Sequence, residues 1–183
     1  GITQLFAAGT QPPHLAAIAP MSVTDDIYSG TGYPGGIFNS GFALSWVTER
    51  VENAMPAPEG GLPVAKALVA AGDTHCIENQ KLRLQSLDAL DLIEKNPYRT
   101  PKLFAERAPG EWLKQVTVPT FLTGQYQDEQ TGGHFPRSLS NLNGNKNVWV
   151  TMQNGVHNDS LGPIQMTRWV EFINLFVANR IPV

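Results

Sequence analysis

The chain alternates between two kinds of hydrophobic pattern. Short, nearly continuous apolar runs rich in β-branched and aromatic residues lie at Leu15–Met21, Val118–Leu122 and Val148–Val150. Runs of this kind fit parallel strands covered on both faces. Around them, apolar residues recur at spacings of three and four, the mark of helices with one covered face. Ile2, Leu5, Phe6 and Gly9 define such a helix over residues 1–10, stopped by Pro12 and Pro13, with Ala7, Ala8 and Gly9 small enough to lie close against a sheet. Met166, Trp169, Val170, Ile173, Phe176 and Val177 define another over residues 163–178, opened by Pro163 and ended by Asn179 and Pro182. The alternation predicts an α/β protein in which residues 15–21, 118–123 and 147–151 run parallel in one sheet, with helices 1–10 and 163–178 packed on it.

The middle of the chain has a different texture. A Gly-rich stretch, Tyr28–Gly36, lacks the Gly-Lys-Ser/Thr ending of a phosphate loop and does not join a strand directly to a helix, so it reads as a turn-rich lid segment. A helix is expected from Gly41 to Met55 on the stripe Leu44, Val47, Val51 and Met55, and after a Pro/Gly linker a short one runs from Pro63 to Gly72. Asp73 or Thr74 then caps a longer helix carrying Ile77, Leu84, Leu87, Leu90 and Leu92 as far as Lys95. Residues 132–142 suggest a further short helix with Phe135, Leu139 and Leu142 turned inward. The chain thus divides into sheet core 1–21, a helical insertion 22–115 laid out as a cap, and sheet core 116–183.

Composition narrows the partners. The 183 residues, 42% of them hydrophobic, can bury one sizeable core. A net charge of −3 without a basic cluster argues against nucleic acid or an anionic membrane as partner, and the apolar runs are too short to span a bilayer. The single Cys76 excludes an internal disulfide and a cysteine-based zinc site, and reads as a buried thiol rather than a nucleophile. Nothing in the sequence calls for a cofactor.

The candidate chemistry sits in the loops after the last two strands. Val116–Phe135 runs from strand into a polar loop carrying Asp128, and Asn147–Pro163 does the same with His157, 29 residues later. Aspartate then histidine, each beyond its own strand, is the order of the last two triad members in α/β-hydrolases. A histidine can take and return a proton near neutrality, and a carboxylate can hold its tautomer. Glu129 and Asp159 are rival acids, but Glu129 directly follows Asp128, and Asp159 lies too close to His157 to come from a separate strand end. His134 reads as a structural imidazole at a helix start. Asp25, Asp26 and Tyr28, just past the first strand, are candidates to line a substrate pocket, or equally a polar turn with capping roles. A divalent metal on Asp128, Glu129, His134, His157 and Asp159 is a weaker alternative, since the spacing matches no compact metal motif. A non-catalytic module binding a ligand or a partner chain is another.

Three segments carry a family resemblance. GITQLFAAGTQPPHLAAIAPMSVTDDIY is similar to the segment just after the nucleophile elbow G-x-S-Y-x-G of the CocE/NonD hydrolases, the group holding the X-Pro dipeptidyl-peptidases, cocaine esterase and the α-amino-acid ester hydrolases. VPTFLTGQYQD resembles that family's V-P-x-L-x-x-G-x-x-D segment, and NGVHNDSLGP its histidine loop. The resemblance implies an α/β-hydrolase with Asp128 as triad acid, His157 as catalytic histidine and residues 22–115 as its cap. Gly1 would match the elbow's closing glycine, placing the nucleophilic serine three residues ahead of it and making this chain a fragment. The implied substrate is a small acyl ester, an amide or an X-Pro peptide.

Two expectations follow for the chain by itself. None of its serines (Ser22, Ser29, Ser40, Ser45, Ser86, Ser138, Ser140, Ser160) has G-x-S-x-G surroundings, so it should turn over no ester or peptide. With earlier strands missing, it should also be poorly stable and aggregate through an open sheet edge. A sharp, reversible thermal transition of monomeric chain would contradict the second.

Overall fold

The computed structural model describes residues 1–85, 87–142 and 144–181. In chain order the helices are α1 (Ile2–Gly9), α2 (Phe42–Ala54), α3 (Pro63–Ala70), α4 (Thr74–Gln80), α5 (Ala89–Glu94), α6 (Pro101–Phe104) and α7 (Pro109–Leu113). Strand β1 (Thr120–Gln125), helix α8 (Ser138–Asn141), strand β2 (Val148–Gln153) and helix α9 (Pro163–Phe176) follow. Two compact units emerge, one of residues 1–38 and 99–183, the other of residues 39–98.

The first unit is built on the parallel pairing of β1 with β2, in register from Thr120 opposite Val148 to Gln125 opposite Gln153. All six residues of β1 are buried, because both of its faces are covered. Leu122 points into one core with Leu5 and Ala8 of α1, Ile18, Val23, Leu113, Val116 and Leu142. Phe121 points the other way, into a second core with Ala19 and Phe172 of α9. There the Phe172 ring lies 5.6 Å from Phe121, 6.0 Å from Trp149 and 4.9 Å from Phe176. The covered stripe of α9 therefore runs through Trp169, Phe172, Ile173 and Phe176, while Val170 and Val177, expected on it, are exposed. Pro182 falls outside the described residues.

The expected strand at residues 15–21 is reduced to a single parallel bridge, Ile18 with Thr120. Ile18 donates to the Pro119 carbonyl at 2.9 Å and accepts from the Phe121 amide at 2.9 Å. The Thr123 amide still donates to the Pro20 carbonyl at 3.4 Å, but Pro20 has no N–H to complete the next bridge. On the side of this segment away from β1, the Gln4 side chain takes over as partner: its Oε1 accepts from the Ala19 amide at 2.8 Å and its Nε2 donates to the Ala19 carbonyl at 3.3 Å. Helix α1 is thereby pinned to the segment that follows it. Its Gly9 meets Trp112 of α7, where a Cβ would come within 2.7 Å, so that glycine admits a helix rather than the sheet. Residues 132–142 form only a 3-10 turn, Phe135–Arg137, and the one-turn α8.

Residues 22–38 and 99–115 pack with the sheet elements, so the separate helical unit is narrower than the 22–115 insertion read from the sequence. The Gly110 amide donates to the Asp25 carbonyl at 2.8 Å, and Tyr28 packs edge-on against Phe104 at 5.0 Å. Within residues 39–98 the long helix expected over 73–95 is broken in two. Asp73 caps α4 by accepting from the Cys76 amide, and Asp88 caps α5 by accepting from the Asp91 amide. Two good N-caps compete with one continuous helix, and a 3-10 turn, Lys81–Gln85, separates them. Cys76 is half-buried rather than buried. Among the described residues no helix is long and apolar enough to cross a membrane.

Gly124 tests the packing of β1. A Cβ there would stand 2.2 Å from the buried Phe135 ring, so Gly124→Ala should cost about 1–3 kcal/mol in urea unfolding. Gly144→Ala, which meets nothing within 4 Å, should stay within about 0.5 kcal/mol of the parent.

Candidate active site at the carboxyl ends of the strands

Because β1 and β2 are parallel, the loops that leave their carboxyl ends emerge side by side. The two loops continue the ladder beyond the strands. Tyr126 donates to the Gln153 carbonyl at 3.0 Å, Gln127 to the Gly155 carbonyl at 3.2 Å, and the Gly155 amide donates back to Gln127 Oε1 at 2.6 Å. These bonds carry Asp128 and His157 to each other.

Asp128 is buried, its side chain only 1% exposed. Its Oδ1 accepts from the Gln130 and Thr131 amides at 2.8 and 2.9 Å, which folds the loop into a turn around the carboxylate. His157 Nδ1 stands 2.9 Å from Oδ2 and 3.1 Å from Oδ1. A carboxylate so placed has no proton to give, so Nδ1 carries the hydrogen and Nε2 is left as the basic nitrogen. The imidazole side chain is 27% exposed and opens a 3-10 turn, His157–Leu161. This pair can hold a histidine in one tautomer and stabilise it when it takes a proton.

The rival acids have other tasks. Glu129 Oε2 accepts from the main-chain amide of His157 at 3.1 Å. Its own backbone amide, opposed by slight burial and helped by the His157 amide, holds its carboxyl below the usual carboxylate range. Asp159 turns back to the Val156 amide, Oδ2 to N 2.7 Å, and shapes the turn that needs Gly155 at φ +140°. A Cβ on Gly155 would come within 2.2 Å of that carboxylate. His134 is half-buried at the start of the 3-10 turn Phe135–Arg137. Among the described residues, no three His, Cys, Asp or Glu side chains gather as a metal would require.

The other three candidates share the loop after residue 21. Asp26 pairs with the Arg99 guanidinium and accepts from the Tyr28 amide at 2.9 Å, the geometry of an Asx turn. Tyr28 stacks on Tyr33 at 5.0 Å. Asp25 keeps Oδ1 buried without a hydrogen-bond partner, and burial raises its pKa over the lowering effects of its own amide and of Arg137. Sequence reasoning passed over Ser22. Its Oγ lies 2.9 Å from both Gln125 Oε1 and the His157 carbonyl, a bridge for which the sequence offers no signal.

A sheet covered by helices on both faces, with a buried aspartate and a loop histidine meeting at its carboxyl end, defines part of an α/β-hydrolase. Residues 1–159 match the X-Pro dipeptidyl-peptidase family (S15 family), and the chain belongs to it. No curated protein sequence matches the chain. Two solved structures of a CocE/NonD family hydrolase from Staphylococcus aureus resemble it. Both are 15% identical, with TM-scores of 0.67 and 0.66 over 98% and 97% of this chain. The chain spans 28% and 27% of their length, little more than a quarter.

Asp25 yields a pH prediction. Because its folded pKa is raised, its charged form destabilises the fold above that pKa, and the penalty lifts as pH falls toward and below the unfolded value. Asp25→Asn should therefore raise the thermal midpoint at about pH 7, and the gain should shrink toward about pH 4. An unchanged difference across that range would mean the carboxyl is not held charged against burial.

Proposed function

We propose that the full-length protein is a serine hydrolase of the acyl-transfer type, working through a Ser-Asp-His triad. His157 acts as general base and then general acid, Asp128 orients it, and the nucleophilic serine stands three residues ahead of Gly1. The observation that carries the reading is the buried Asp128 carboxylate on His157 Nδ1 at 2.9 Å. The start of α1 lies in the same neighbourhood. A Cβ on Gly1 would come within 2.5 Å of the Met21 carbonyl, and Ser22, the next residue, bridges to the His157 carbonyl. On this reading a serine on a strand-to-helix elbow ahead of Gly1 belongs to that neighbourhood, which supports the proposal. Substrates on this reading are small acyl esters, amides or X-Pro peptides, and residues 39–98 belong to the cap.

His157→Ala in the full-length protein should lower kcat by about three or more orders of magnitude while circular dichroism stays unchanged. Asp128→Asn should cost a similar or smaller factor, through the wrong tautomer. Residues 1–183 alone should show no turnover. Activity lost to a chelator but surviving His157→Ala in the acylation step would replace the triad with a metal-dependent mechanism.

A further inference from the structure

His157 is held by more than its ring. Its amide donates to Glu129 Oε2 at 3.1 Å, and its carbonyl accepts from Ser22 Oγ at 2.9 Å. The ring is on Asp128. Ser22 follows the segment bridged to β1, Asp128 and Glu129 follow β1, and His157 follows β2, so that segment and both strand ends converge on one residue.

Two features set the Ser22 contact apart from a chance surface bond. Ser22 lies at φ +49°, in the left-handed region that non-glycine residues avoid, and it is 6% exposed. That backbone turn brings Oγ between Gln125 and His157. Gln125 is fully buried, with Oε1 facing the hydroxyl and Nε2 lacking a hydrogen-bond partner. Turning the amide over lets Nε2 donate to Ser22 Oγ, which leaves the single hydroxyl proton for the His157 carbonyl. The chain Gln125 to Ser22 to His157 then runs in one direction. Ser160 Oγ also reaches that carbonyl, but at 3.3 Å and from within the same turn, where it cannot tie the loop to the sheet.

We propose that Ser22 and Glu129 are positioning residues that clamp the main chain of His157 from opposite sides, one at its carbonyl and one at its amide. A histidine that must accept a proton from one oxygen and deliver it to another needs its ring to stay put between the steps. Asp128 fixes the ring's rotation, but a loop free to shift would carry the ring with it. The clamp removes that freedom. The inference rests on His157 as the proton carrier and goes beyond it by naming what holds the carrier in place.

The test uses the full-length hydrolase with Ser22→Gly, Glu129→Ala, Glu129→Gln and His157→Ala. Glycine suits φ +49°, so Ser22→Gly removes the hydroxyl without straining the backbone. Ser22→Gly and Glu129→Ala should each lower kcat about tenfold with KM changed by less than about twofold, since the loss is of geometry rather than binding. Solvent exchange of the His157 Nδ1 proton, followed by NMR, should speed up about tenfold in both, while thermal midpoints move little. Glu129→Gln, whose amide oxygen can still accept from the His157 N–H, should stay within about threefold of the parent in both readouts. The clamp is overturned if kcat and proton exchange are unchanged in Ser22→Gly and Glu129→Ala, if Glu129→Gln is as damaged as Glu129→Ala, or if activity falls only in step with the thermal midpoint. Should His157→Ala keep its activity, the triad reading fails, and the Nδ1 exchange rates alone decide the clamp.

Discussion

The arrangement depends on one pairing, the parallel ladder between β1 and β2. Its register places Gln125 opposite Gln153, and the two loops then leave from the same end of the sheet. A slip of one residue would turn Phe121 and Leu122 to the wrong cores, since successive side chains point to opposite faces. The same slip would move His157 out of step with Asp128. Core packing and site geometry are therefore fixed by one choice. Phe121 against Phe172 and Leu122 against Leu5 hold the register that brings a carboxylate to an imidazole.

The features legible in the sequence were those with a period or a fixed order. Continuous apolar runs marked β1 and β2, and spacings of three and four marked α1 and α9. The order aspartate, histidine, each after a strand, singled out Asp128 and His157 against Glu129 and Asp159, and the structure joins that pair. Where the reading went astray, a local competitor decided. Pro20 cut short the ladder at residues 15–21 by removing a donor. Asp88 was available as a second cap and divided the helix expected over 73–95. On α9 the covered stripe centres on Phe172, flanked by Trp169, Ile173 and Phe176, which turns Val170 and Val177 outward. The compact helical unit is narrower than expected because contacts such as Gly110 on the Asp25 carbonyl are made by main chain, which leaves no trace in side-chain periodicity. Ser22 and Gln125 gave no signal for another reason: one buried side-chain hydrogen bond between distant residues has no period.

The Gly-rich segment shows how composition alone can mislead about mobility. Its glycines read as loose turn formers, yet Gly30 is buried where a Cβ would strike Thr24 Oγ1 at 2.1 Å and the Thr131 carbonyl at 2.7 Å. Gly132, at φ +70°, faces the Gly30 carbonyl in turn, at 2.9 Å from its Cβ position. Thr31 Oγ1 donates to the Gln130 carbonyl at 2.9 Å. Main chain here lies directly on main chain, which glycine permits and other residues obstruct. The Gln130 and Thr131 amides are the ones that hold the Asp128 carboxylate, so the segment braces the turn that presents the acid. A lid that swung at Tyr28–Gly32 would have to unfasten that turn. Opening of the chain that spares Tyr28–Gly32 leaves the Asp128 amide cradle intact.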